Sequence, residues 1–171
     1  MPRLGSLIVC EKVISDSIGK PTLISVFQKM SAVVPEGQEM PKDTIAGTPW
    51  SVFSEWFFTT KEADQSYDQV FEVLMPDGTP SPIRGRITLK DVSKEPLVGS
   101  RCFVTIFGFP ISQVGFVSMN VWLESNSERV TDVYSAHVKV EHTREAPSDA
   151  GDGSPLVAGF SFTQTLPVPK V

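Results

Sequence analysis

The chain has 171 residues, 40% of them hydrophobic and 20% charged, with a formal net charge of −5. This size suits one domain that needs no disulfide or metal for stability, and the scattered Lys and Arg residues disfavour nucleic acid or anionic membranes as partners. No apolar run approaches the roughly 20 residues that span a bilayer, and the run Leu7–Val9 is too short for a secretory signal, so we expect a cytoplasmic location.

Short β-prone runs separated by turn residues dominate the chain, which is typical of an all-β protein. The eight predicted strands are, in order, Ser6–Ile14, Thr22–Val34, Trp50–Thr59, Tyr67–Met75, Ile83–Val92, Arg101–Phe109, Phe116–Glu124 and Arg129–Glu141. The second is apolar on both sides of the pleat, which predicts a strand covered on both faces. The fourth also fits a helical period, but its period of two and the turn Pro76-Asp77-Gly78 favour a strand in a hairpin.

These runs predict an antiparallel Greek-key β-sandwich of the Ig- or C2-like kind over residues 1–142, with a closed barrel as the alternative. Residues 143–155 have the composition of a flexible linker, and residues 156–171 form an apolar C-terminal arm. The arm either folds back on its own domain or adds a strand to a neighbouring copy. Residues 35–49 are predicted to be a long loop, a kind of segment that often serves in binding.

Side chains that carry catalysis or metal binding do not occur at recognisable spacings. His137 and His142, with the distant Cys10 and Cys102, do not make a zinc pattern. No nucleophile elbow, phosphate-binding loop or dinucleotide fingerprint is present. We therefore expect no enzyme activity, no cofactor and no metal, and two buried free thiols. The loop aspartates that a C2-like domain could bring together for calcium are Asp16, Asp43 and Asp77.

Three strands carry more aromatic side chains than a two-layer core can bury, because only one face of each strand points inward. If these strands share a sheet, its outer face carries Phe53, Phe57, Phe103, Phe107, Phe109, Phe116 and Trp122. A contiguous apolar patch of that size marks an interface unless the loop or the arm covers it. The arm contributes three further candidates for partner binding, namely Phe160, Phe162 and Leu166.

The surplus of aromatic side chains predicts a non-enzymatic protein-binding or assembly module, as part of a homo-oligomer or of a larger multi-protein structure. The alternative is a β-sandwich that binds a small molecule or carbohydrate with the loop 35–49 and aromatic side chains. A C2-like module that binds calcium or a membrane is the third hypothesis. A flat aromatic sheet face would favour a protein partner, whereas a concave aromatic pocket would favour a ligand.

The sequence Leu-Ile-Val-Cys-Glu-Lys-Val-Ile from Leu7 to Ile14, followed by Gly-Lys-Pro-Thr-Leu-Ile-Ser-Val-Phe from Gly19 to Phe27, resembles a bacterial family of uncharacterised small proteins. That family follows the pattern L-x-C-[DE]-x-[VI]-x-D…G-K-x-[ST]-[LI]-x-G-[VI]-F. Asp16 fits its acidic turn position, whereas Ser25 stands where the family has Gly. The resemblance covers about residues 5–141, with similar stretches at 75–78 and 115–121. It implies a β-sandwich and assigns no activity or site.

Overall fold

A computed structural model describes residues 1–17, 20–89, 92, 98–145 and 160–162, the last three and residue 145 by their backbone only. Strands and turns make up these ranges, and no helix occurs in them. No helix in the described part of the chain could therefore cross a membrane. The strands are β1 Arg3–Ser15, β2 Pro21–Val26, β3 Lys29–Pro35, β4 Ile45–Phe57, β5 Asp68–Leu74, β6 Pro80–Thr88, β7 Ser100–Pro110, β8 Gly115–Ser125, β9 Glu128–Arg129, β10 Tyr134–Glu145 and β11 Phe160–Phe162.

The strands form two sheets, which confirms the all-β prediction. The four-stranded sheet has the order β2-β1-β4-β7, and the seven-stranded sheet has the order β11-β3-β10-β8-β5-β6, with β9 paired to β8. β3 and β10 run parallel, so the prediction of antiparallel strands alone is wrong for this pair. Each of the connections β2–β3, β3–β4, β4–β5, β6–β7 and β7–β8 takes the chain from one sheet to the other.

The inward faces of both sheets share one core. In one cluster Trp50 and Val52 of β4 lie with Met30 of β3 and Met119 of β8. In a second cluster Trp56 and Cys102 of the four-stranded sheet lie with Phe71, Val121 and Leu123 of the seven-stranded sheet. The hairpin predicted at residues 76–78 is confirmed, because β5 and β6 pair antiparallel across it.

The predicted strand Thr22–Val34 is wrong, because this segment is two strands in different sheets. In β2 the even-numbered Ile24 and Val26 are partly exposed, whereas in β3 the even-numbered Met30 and Val34 are buried. The chain passes from one sheet to the other at Phe27 and Gln28. After this crossing the even-numbered residues, which face outward in β2, face inward in β3. Apolar residues on both sides of the pleat therefore reflect a change of sheet, and no strand covered on both faces is needed.

The predicted loop 35–49 is too long, because β4 already begins at Ile45 and pairs with the end of β7. A register shift between Ala46 and Pro49 lets a proline lie within this pairing. Two of the residues that suggested a loop, Gly47 and Pro49, lie at this irregularity.

At the other end of the domain, β10 runs to Glu145, three residues beyond the predicted boundary at 142. Phe160–Phe162 pairs antiparallel with β3 of the same chain, so this part of the arm folds back on its own domain. Leu166 and the remainder of the predicted linker and arm lie outside the described residues.

A buried amide connects the two sheets across the core. Gln69 of β5 accepts hydrogen bonds at Oε1 from Ser54 Oγ and from Trp56 Nε1 of β4, both at 2.6 Å. Because the indole N–H can only donate, it fixes which end of the amide faces β4. The amide nitrogen is buried without a hydrogen-bond partner among the described residues. These directional bonds specify how β5 lies over β4, which apolar packing alone does not.

Replacing Gln69 with Leu should lower the free energy of unfolding by about 2–4 kcal/mol, because two buried donors lose their acceptor. The matched control is Gln28→Leu, at an exposed side chain, which should change stability by less than about 0.5 kcal/mol. Urea unfolding of both variants measures the difference. Equal stability of the two variants would contradict the structural role of the bridge.

Ser25 lies in β2 with φ 52°, a left-handed conformation that is uncommon for residues with a Cβ. A glycine at this position would adopt the same conformation without a steric penalty.

Ser25→Gly should raise the free energy of unfolding by up to about 1 kcal/mol, because it relieves the left-handed strain. Ser31→Gly in β3, outside the positive-φ positions, should instead lower it by roughly 0.5–1 kcal/mol. Thermal unfolding of the two variants tests the opposite signs. A loss of stability in Ser25→Gly would show that the left-handed backbone is not strained.

Candidate functional site

The aromatic residues predicted to share one surface lie on two sheets. β4 and β7 are neighbours in the four-stranded sheet, whereas β8 belongs to the seven-stranded sheet. The condition under which all seven residues would form one patch is therefore not met. Phe116 and Trp122 lie on the outer face of the seven-stranded sheet, apart from the residues of β4 and β7.

Phe109 is fully buried, although strict alternation predicts that it faces outward with Phe103 and Phe107. The reason is Gly108, whose φ of 88° interrupts the alternation of β7. Phe109 then turns inward and packs edge-to-face on Trp50, with ring centroids 5.1 Å apart. Trp50 in turn donates from Nε1 to the carbonyl of Gly108 at 2.9 Å. Phe109 is consequently a core residue and cannot contact a partner directly.

The two predicted residues of β4 lie on the outer face but are shielded. Phe53 stands between Ile8 of β1 and Phe103 of β7 in register, and it is only 5% exposed. Phe57 is half-buried and lies across Gly5, where any Cβ would collide with its ring. Both rings therefore cover the sheet itself, and Phe53 belongs to neither core cluster.

Phe103 and Phe107 are the exposed rings of the four-stranded sheet, at 47% and 80%. They are four residues apart on β7 with Thr105 between them, so their side chains leave the same face about 13 Å apart. At the opposite edge of this sheet, Ile14, Ile24 and Val26 are also substantially exposed. We call the surface that these five side chains mark the apolar face.

Two small buried groups lie between those edges. Cys10 and Ser51 are opposite each other in register and fully buried, and Ser51 Oγ lies 3.1 Å from Thr105 Oγ1. Burial raises the pKa of the Cys10 thiol, and it raises the pKa of Cys102, on the inner face, to about 11. β1 and β7 are separated by β4, so the two thiols do not lie on neighbouring strands, and both are free.

The outer face of the seven-stranded sheet is polar by contrast. Arg86 forms ion pairs with Asp68 and Glu124, and Trp122 Nε1 donates to Glu124 at 2.9 Å. Cross-strand hydrogen bonds continue the pattern from Asn120 to Glu72. Charged groups that satisfy one another in this way typify a solvated sheet face.

Phe116 is the exposed ring of that polar face, at 58%, and it stands beside a serine–histidine pair. Ser118 Oγ and His137 Nδ1 are 3.0 Å apart, and the rings of Phe116 and His137 meet edge-to-face at 6.4 Å. A nucleophilic serine also needs a third group that orients the imidazole. No hydrogen bond from His137 to a carboxylate is found in the described part of the chain, and the pair has the geometry of a cross-strand polar contact.

Two of the three loop aspartates considered for calcium accept local hydrogen bonds. Asp77 accepts from the hydroxyl and backbone N–H of Thr79 and from Gln113, and these bonds lower the pKa of its carboxyl group. Asp16 accepts from the backbone N–H of Lys20. Within residues 1–17, 20–89, 92 and 98–145, no group of three or more His, Cys, Asp or Glu side chains could hold a metal ion.

Comparison with known proteins adds no family to these observations. No protein-family model matches the chain, and no curated protein matches it significantly in sequence. The resemblance noted in the sequence therefore stays a prediction.

Sequence reasoning missed the features that select among the aromatic residues. The inward turn of Phe109 had a signal, since a glycine directly precedes it in an apolar strand. The membership of β8 in the second sheet had none, because alternation is the same in either sheet. The buried bridge at Gln69 had none either, since a lone Gln in a strand usually faces solvent.

Both cysteines should resist alkylation in the folded protein. With a pKa of about 11 for Cys102, roughly one thiol in a thousand is ionised at pH 8, and both side chains are inaccessible. Iodoacetamide labelling followed by mass spectrometry should be at least ~100-fold slower in native protein than in urea. Rapid native labelling at Cys10 would show that the apolar face opens there.

Proposed function

We propose that this chain is a non-enzymatic protein-binding or assembly module that contacts its partner through the apolar face. The observation that carries the proposal is the exposure of Phe103 and Phe107 on the same face of β7, on either side of Thr105. Exposed aromatic rings are a feature of binding surfaces, where they supply much of the contact energy. The outer face of the other sheet is polar, so the two outer faces of the same fold differ in their chemistry.

The neighbourhood of these rings supports a contact surface. From Cys102 to Pro110, β7 carries no charged residue, and interface centres are depleted of charge. Arg101 and Glu55 form an ion pair at 2.9 Å near one end of this segment. A polar border beside an apolar centre is the usual arrangement of a protein interface.

We further propose that the two sheets form a Greek-key sandwich of the Ig- or C2-like kind. The shared core and the repeated crossing of the chain between sheets support this assignment. Two free buried thiols favour a reducing compartment such as the cytoplasm.

The second candidate function is binding of a small molecule or carbohydrate, and one feature favours it. An open groove of about 380 Å³ lies beside Phe116 and includes Ser118, His137, Met75 and Pro76. An aromatic ring next to hydroxyl and imidazole groups can stack on and hydrogen-bond a polar ring. This groove lies on the other sheet, away from the loop 36–44, so it differs from the ligand site predicted from sequence.

Phe107→Ser should weaken partner binding or self-association at least about tenfold, because it removes the most exposed ring of the apolar face. Since this side chain is 80% exposed, the free energy of unfolding should change by less than about 1 kcal/mol. Light scattering reports the solution mass, and immobilised protein reports the partners that it captures.

The matched control is Phe116→Ser, which removes an exposed ring from the other sheet. It should retain the solution mass and the captured proteins of the wild type. If Phe107→Ser behaves like Phe116→Ser in both measurements, the apolar face is not the contact surface. If only Phe116→Ser loses self-association or partner capture, the groove beside Phe116 is the binding site.

A further inference from the structure

The two sheets end in strands that differ in how their free edges are protected. β6 carries Pro80, Pro82, Arg84 and Arg86 along its length, and proline and charge are the usual means of blocking an edge. β2 is six residues long and is distorted by the left-handed Ser25. β11 is three residues long. These three edges are poor templates for pairing with another chain.

β7 is the exception. It is 11 residues long, it has β4 as its neighbour on one side, and no strand among the described residues pairs with its other side. Between Arg101 and Gly108 it contains neither proline nor charge. A long apolar edge strand offers unpaired backbone groups to a further strand.

The inner side of the same edge is incompletely covered. Val104 and Ile106 point inward and pack against both core clusters, yet they are only partly buried. A strand added beside β7 would place its own inward side chains next to these two. The edge would thus gain apolar burial on both faces together with backbone hydrogen bonds.

We propose that the partner is a second copy of this chain, and that β7 pairs antiparallel with the partner's β7 to give one continuous eight-stranded sheet. This inference rests on the proposed function and specifies its partner. A two-fold axis makes such an interface self-complementary, since each contact occurs twice. A neutral strand also permits the approach of two molecules that each carry a net charge of −5.

The sequence of β7 selects the register. The backbone turns at Gly108, so the regular segment runs from Arg101 to Phe107, with Phe103, Thr105 and Phe107 outward. With the axis at Thr105, Phe103 lies opposite the partner's Phe107, and the same pair recurs on the other side. Aromatic pairs and threonine pairs are favourable across antiparallel strands.

Neighbouring registers are less favourable. With the axis at Val104, Phe107 would lie opposite the partner's Arg101, and with the axis at Ile106, Phe103 would lie opposite the buried Phe109 of the partner subunit. The register centred on Thr105 also places Val104 opposite the partner's Ile106 on the inner side. Of these three registers, the one centred on Thr105 pairs both exposed rings of the strand with rings of the partner.

Disulfide trapping in the full chain tests this register directly. Thr105→Cys would place two cysteines opposite each other with Cα atoms about 4.5–5.5 Å apart, within the range that a disulfide spans. Mild oxidation should convert most of this variant to a covalent dimer. Ile24→Cys, on the same face at the far edge of the sheet, should cross-link at least about tenfold more slowly.

Charge at the same position gives a second, independent readout. Thr105→Lys and Thr105→Glu should each weaken dimerisation at least about tenfold in sedimentation equilibrium, because like charges meet across the axis. An equimolar mixture should regain dimers, since Lys then faces Glu. Circular dichroism and thermal unfolding establish that each variant is folded, and the cysteine variant tests the register if a charged variant is not.

The outcomes separate this inference from the proposed function. A wild-type chain that stays monomeric at about 100 µM, with no cross-link through Thr105→Cys, overturns the self-pairing. A dimer that Phe107→Ser dissociates but that neither cross-links at 105 nor responds to charge there also overturns it, and shows face-to-face contact instead. In the first case the proposed function stands if Phe107→Ser abolishes partner capture, and it falls if that variant has no effect. In the second case the proposed function stands, because Phe107→Ser dissociates the dimer.

Discussion

Each strand of a two-sheet protein can bury one face only, and the remainder of this structure follows from that constraint. Alternation sends Val52 and Trp56 inward and Phe53 outward on the same strand, and it does the same for Val104 and Phe103 on β7. The core is filled by the first set. The second set must be shielded by neighbours, as Phe53 is, or exposed, as Phe103 is. An excess of aromatic residues therefore becomes a property of the outer surface.

Local departures from alternation decide which of those residues are available. Gly108 turns Phe109 into the core and ends the regular part of β7. Fewer aromatic side chains are therefore exposed than alternation along the strand alone predicts. Gln69 departs in another way, since a polar side chain occupies a core position and holds β4 and β5 together through its oxygen. Both departures fix the positions of particular side chains, which apolar packing of alternating residues alone does not do.

The two outer faces of the molecule consequently have different chemistry. On the seven-stranded sheet, carboxylates, arginine and amides satisfy one another, as Arg86 does with Asp68 and Glu124. On the four-stranded sheet, exposed rings lie on a strand that has neither proline nor charge between Arg101 and Gly108. Exposed rings and an edge that is unpaired among the described strands occur together on β7, so the proposed assembly would act through this strand. The serine–histidine pair adds polar groups to the outer face of the other sheet.

The sequence by itself determined the fold class, most strand positions, the hairpin after β5 and the alternation of β4, β7 and β8, because these depend on periodicity and turn chemistry. It could not assign strands to sheets, since residues with the same alternation serve either sheet equally well. Thr22–Val34 illustrates the limit, because a strand covered on both faces and a chain that changes sheets have the same apolar pattern. Only the tertiary structure decided that β7 is an edge among the described strands, that β8 lies in the other sheet and that Phe109 is core, because these depend on contacts between residues distant in sequence.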